Sequence, residues 1–136
     1  MKNLILVVED NAVNLELATD LLEAGGFSVL QARTAEEGLR LARQCLPALI
    51  LMDISLPGMD GLAATRVLKA DSLTAGLPVV ALTAHAMRGD AAVAAAAGCD
   101  GYITKPIDTR SFVETVARYR ARHTSKAPAA RVLVPN

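Results

Sequence analysis

Residues 49–61 read LILMDISLPGMDG. An unbroken apolar run ends in one aspartate, and a turn follows at once. Such a run suits a strand covered on both faces, as in a parallel sheet; a strand with one wet face would alternate. Gly58 and Gly61 mark the turn, where the backbone must be tight.

The same design recurs along the chain. Apolar runs occupy residues 4–8, 27–30, 48–52, 78–82 and 101–103, and the first, third and fourth are continuous. Helical patterns fill the gaps. Leu15, Ala18, Leu21 and Leu22 share one face, and Gly25-Gly26 stops that helix. Residues 34–37, Thr-Ala-Glu-Glu, form a capping box ahead of Leu39 and Ala42. A third helix spans 61 to about 70, and a fourth fills the alanine-rich 88–97. Asp108 caps a fifth, with Phe112, Val113, Val116 and Ala117 inward.

Strict alternation of strand and helix predicts an α/β fold, a doubly wound (βα)5 unit with a five-stranded parallel sheet. The commonest compact order is 2-1-3-4-5. The folded domain is expected over 1–122. Residues 123–136, with two prolines and no helical pattern, are expected as a flexible tail.

Composition narrows the function. The chain has 136 residues, 52% of them hydrophobic, enough for one domain with a real core. Two Phe, two Tyr and no Trp argue against a nucleic-acid binder that stacks bases on aromatic rings. Fourteen basic residues balance fourteen acidic ones, which removes any bulk attraction to nucleic acid or an anionic membrane. The acids concentrate in the first half and the bases in the second. Cys45 and Cys99 are the only cysteines, outside any CxxC or His cluster, and read as buried thiols in a reducing compartment. The N-terminus lacks an apolar run long enough for a signal peptide, and no stretch has membrane-spanning length. A soluble, cytoplasmic protein is expected.

In a doubly wound sheet the site lies beyond the carboxyl ends of the strands. Strand 1 ends in Glu9-Asp10, strand 3 in Asp53, strand 4 in Thr83, and strand 5, two residues late, in Lys105. Three carboxylates, a hydroxyl and an amine therefore share one crevice. Clustered carboxylates repel, so they take up protons or demand a cation. Their side-chain ligands are all oxygen, which selects a hard cation, and Mg2+ fits best. With Lys105 it would neutralise an incoming phosphoryl group, to which Thr83 could donate. A carboxylate can act as nucleophile. Asp53 is the candidate, being on the central strand between metal and lysine.

The segments VVEDN (7–11), LMDISLPGMDG (51–61), ALTA (81–84) and YITKP (102–106) resemble the CheY-like receiver domains of bacterial two-component response regulators. The resemblance covers about residues 3–121. The wording EDN, LTAHAMRGD, AAGCDGYITKPI and FVET is closest to single-domain receivers of the DivK type and to receivers of hybrid kinases. It implies a flavodoxin/CheY-like fold. It implies that Asp53 accepts a phosphoryl group from a histidine kinase or a histidine phosphotransfer protein. Asp10, Asp53 and the backbone carbonyl of Ser55 would ligate Mg2+, with Glu9 acting through a bound water. Thr83 and Lys105 would bind phosphoryl oxygens, and Lys105-Pro106 would be a cis peptide. Tyr102 stands at the aromatic switch position, through which the helix 4–strand 5–helix 5 face changes its affinity for a downstream effector. Ser55 and His85 occupy positions that influence dephosphorylation. A monomer or weak dimer is expected.

Two other readings are open to the sequence. One is a phosphorylation-independent interaction module, though such degenerate receivers usually lack an acid or the lysine. The other is a Mg2+-dependent phosphatase using an aspartyl phosphate; there a second Asp would stand where this chain has Ser55.

Overall fold

The computed structural model describes residues 3–56, 58–84 and 89–133, with side chains described to residue 122. Strands and helices alternate: β1 Leu4–Val8, α1 Ala12–Ala24, β2 Ser28–Ala32, α2 Ala35–Cys45, β3 Leu49–Asp53, α3 Gly61–Ala70, β4 Val79–Thr83, α4 Asp90–Ala97, β5 Gly101–Thr104 and α5 Phe112–Leu133. The strands form one sheet in the order β2-β1-β3-β4-β5, every pair parallel. This is the predicted fold.

The continuous apolar strands are covered on both sides: β1, β3 and β4 are buried at every position. Successive side chains take opposite faces. Ile5, Val7, Leu49, Leu51, Val80 and Leu82 join Leu15 and Leu22 of α1 and Phe112 and Val116 of α5. Leu6, Val8, Ile50, Met52 and Val79 join Ala35 and Ala42 of α2 and Ala64 and Leu68 of α3. Half of the capping box at α2 is made as expected, Thr34 accepting from the Glu37 N–H at 3.1 Å, while the Glu37 carboxylate reaches one residue past the cap and accepts from the Arg33 N–H at 3.0 Å.

Strands β2 to β5 end one or two residues later than the apolar runs suggest. Backbone pairing is indifferent to side-chain polarity, so Asp53 pairs with Leu82 and Thr83 with Thr104 inside the ladder. Two of the candidate site residues are thus fixed by the sheet itself. At the chain's end, α5 continues as backbone helix to Leu133, with no break at residue 122. Alanine and arginine in this stretch are strong helix formers, a signal the prolines obscured. The thiols also differ from expectation: Cys45 and Cys99 are free but half-buried, at or just past helix ends. Burial pushes the Cys99 thiol up from its ordinary value, and its Sγ lies 3.8 Å from Thr65 Oγ1. Among the described residues, no helix is long and apolar enough to cross a membrane.

Candidate functional site

Glu9 follows β1 directly and still pairs with β2, its N–H donating to the Ala32 carbonyl at 2.9 Å. Glu9 and Asp53 are each 2% exposed, whereas Asp10 is half-buried. One carboxylate oxygen from each of Glu9, Asp10 and Asp53 lies within 4.8 Å of the others. Asp10 and Asn11 both precede α1, and either residue type can cap a helix. That task falls to Asn11, whose side chain accepts from the Asn14 N–H at 3.0 Å, leaving the Asp10 carboxylate to the acidic cluster.

Lys105 reaches into this cluster from beyond β5. Its Nζ donates to Asp53 Oδ2 at 3.2 Å and to Glu9 Oε1 at 3.3 Å. The lysine backbone is tied down too, its N–H donating to the Thr83 carbonyl at 2.7 Å. The Lys105–Pro106 peptide is cis. The other Asp53 oxygen, Oδ1, accepts from the Ser55 N–H at 2.9 Å. Ser55 therefore meets Asp53 through its backbone N–H.

Electrostatics follow from this crowding. Burial, together with the neighbouring Asp53, raises the Glu9 carboxyl to about 6, while the Asn11 N–H and Lys105 pull the other way. Burial alone would lower the Lys105 ammonium, but Asp53 and Glu9 outweigh it and raise its pKa. Among the described residues, the cluster thus holds three carboxylates with one lysine against them. Hard oxygen donors grouped so closely are the chemistry that binds a divalent cation of the Mg2+ kind.

Gly61, the first residue of α3, explains how the aspartate is seated. A Cβ there would lie 2.2 Å from the Asp53 carbonyl oxygen. Only glycine lets the start of α3 pack against the end of β3, and Asp60 caps that helix by accepting from the Ala63 N–H at 2.8 Å.

The remaining predicted residues divide. Thr83 is fully buried at the end of β4, and its hydroxyl donates to Asp90 Oδ2 at 2.8 Å. Tyr102 lies on edge strand β5 opposite Ala81 and is 44% exposed. Its carbonyl accepts from the Tyr119 hydroxyl at 3.3 Å. His85 lies outside the described residues. Two participants were missed in the sequence. Arg33 donates from Nη2 to the Asp10 carbonyl at 2.6 Å, and Asp90 engages Thr83. Arg33 carries no sequence signal, whereas an acid opening a helix just after β4 was visible for Asp90.

Known proteins resemble this chain in sequence and fold. The response regulator receiver domain family model matches residues 5–117. The polar-differentiation response regulator DivK of Brucella ovis is 44% identical over 119 residues, covering 88% of this chain and 97% of that protein. The receiver domain of a sensor histidine kinase from Pseudomonas aeruginosa, solved with a magnesium ion in its active-site cleft, superposes with a TM-score of 0.81 at 33% identity. That similarity covers 88% of this chain and 98% of the other. A CheY-like receiver domain protein from Methanospirillum hungatei gives a TM-score of 0.81 at 31% identity, over 91% and 98% of the two chains.

Proposed function

The chain belongs to the response regulator receiver domain family, a family of signalling switches, and from that premise we propose that Asp53 is its phosphoacceptor. The observation that carries the reading is the bridge from Lys105 to both Asp53 and Glu9 inside a three-carboxylate cluster.

The donor is a phosphohistidine on a kinase or phosphotransfer protein. An Asp53 carboxylate oxygen attacks phosphorus, a P–O bond forms and the donor's P–N bond breaks. The departing imidazole takes a proton and leaves neutral. Asp53 suits this role because Ser55 and Lys105 fix both its oxygens. Lys105 then offers its charge to the phosphoryl oxygens, a preorganised electrostatic contribution. Thr83 donates to one of them. Glu9, Asp10 and Asp53 would hold Mg2+, which when bound neutralises charge gathered on the transferring group.

Donor access is supported by the rim beside Lys105. Asn14, Leu17, Ala84, Pro106 and Ile107 line a groove of about 260 Å³ with Lys105, and Val13 is 72% exposed on the same helix as Leu17. An exposed apolar patch beside a charged pocket suits protein docking. Output passes to a separate effector through the face of α4, β5 and α5, where Tyr102 is exposed. We place this working unit in residues 1–122.

Intact mass after incubation with acetyl phosphate tests the proposal. One phosphoryl group should be gained with Mg2+, none with chelator, and none by Asp53→Asn. Gain by Asp53→Asn equal to wild type would overturn it.

A further inference from the structure

The Thr83–Asp90 bond joins the proposed site to α4. Asp90 opens that helix, and among the described residues little else is seen to secure its start. Its N-cap Gly89 makes no side-chain bond, and its buried residues are Ala94 and Ala97. Two methyl groups remove far less apolar surface from water than the Leu, Phe and Val that seat α1 and α5. A carboxylate in the first turn also suits the positive end of the helix. Asp90 is therefore placed both to stabilise α4 and to moor it to β4.

A threonine hydroxyl has one proton to donate. Here it goes to Asp90 Oδ2 at 2.8 Å. A phosphoryl oxygen on Asp53 would need the same proton, so the two acceptors compete. We propose that Asp90 is a resting-state latch, a positioning residue that holds the Thr83 hydroxyl and the start of α4 together until phosphorylation withdraws the proton and frees the helix. The inference rests on the roles given above to Asp53 and Thr83. It adds the group that those roles must displace, and it turns a local hydroxyl rotation into a population shift of α4.

The test is an NMR titration with Mg2+ and beryllofluoride, a phosphoryl mimic. Wild type, Asp90→Ala and Asp90→Asn are compared in Thr83 and Thr83→Ala backgrounds. Removing the competing acceptor should tighten mimic binding about fivefold or more in Asp90→Ala. Its amides at residues 93–97 should move, without ligand, toward the positions that wild type reaches with ligand. Asp90→Asn should move the same way by less, because a neutral amide accepts a weaker bond. In Thr83→Ala, Asp90→Ala should change affinity less than about twofold, since the partner is already gone. Unchanged affinity and resonances in Asp90→Ala would overturn the latch, as would an equal gain without Thr83. If Asp90→Ala does not fold, Asp90→Asn decides, and affinity no tighter than wild type overturns it. Failure of wild type itself to bind the mimic removes the phosphoacceptor reading, and the latch falls with it. That failure is seen before any Asp90 variant is tested.

Discussion

Lys105 Nζ lies 3.2 Å from Asp53 Oδ2, although 52 residues separate them in sequence. The same ammonium reaches Glu9 Oε1 at 3.3 Å, so one cation answers two buried carboxylates. Removing it should hurt twice. Lys105→Gln should slow Asp53 phosphorylation by acetyl phosphate about 100-fold, the usual cost of losing one preorganised donor. It should also leave the carboxylates dependent on added Mg2+ for stability. Phos-tag time courses and thermal melts check both, and an unchanged phosphorylation rate would contradict the role.

Glu9 sets a pH dependence. Its carboxyl stands at about 6 in the fold against an ordinary 4.5. The folded state therefore binds more protons than the unfolded chain in that window, and stability falls as pH rises through it. In chelator, the loss should begin near pH 4.5, be complete above about pH 6, and approach about 2 kcal/mol. Glu9→Gln should flatten that part of the curve. Urea melts from pH 4 to 8 give the answer, and an identical slope in the variant would assign the effect elsewhere.

Mg2+ should stabilise the wild-type fold, because the acidic cluster exists only when the strands are assembled. At a concentration 100-fold above its dissociation constant the gain is about 2.7 kcal/mol. Asp10→Ala should lose most of that gain, and the apparent affinity should weaken below about pH 6 as Glu9 takes up its proton. Equal Mg2+-induced shifts in wild type and Asp10→Ala would place the ion elsewhere.

Gly61→Ala probes the seat of Asp53. The added methyl would meet backbone at 2.2 Å, and backbone cannot move aside cheaply. Overpacking of this kind costs about 1–3 kcal/mol. Because the atoms displaced belong to Asp53 and Ile54, phosphorylation should slow as well. Unchanged stability and rate would show that α3 can shift without disturbing the site.

The sheet was legible because its three central strands, β1, β3 and β4, announce themselves as unbroken apolar runs, and because residues at strand ends need no long-range information to be placed. Glu9, Asp10, Asp53, Thr83 and Lys105 are all assigned to strand ends that way, and the structure brings the three carboxylates together with Lys105. What stayed hidden depends on tertiary direction. Asn11, and not Asp10, caps α1, since both are good caps and only the helix axis decides. Arg33 reaches the Asp10 carbonyl across 23 residues of sequence, and no periodicity points there. Asp90 looked like an ordinary first-turn acid until the structure brought it to Thr83. The helical backbone of residues 123–133 was obscured by Pro128 among strong helix formers.

The most direct test of the central claim is to locate the phosphoryl group. Protein phosphorylated in Mg2+ is reduced with borohydride, which converts an aspartyl phosphate to homoserine, and the digested peptides are sequenced by mass spectrometry. Homoserine is expected at position 53 and at no other aspartate. Homoserine at Asp10 or Asp60 with Asp53 intact would contradict it.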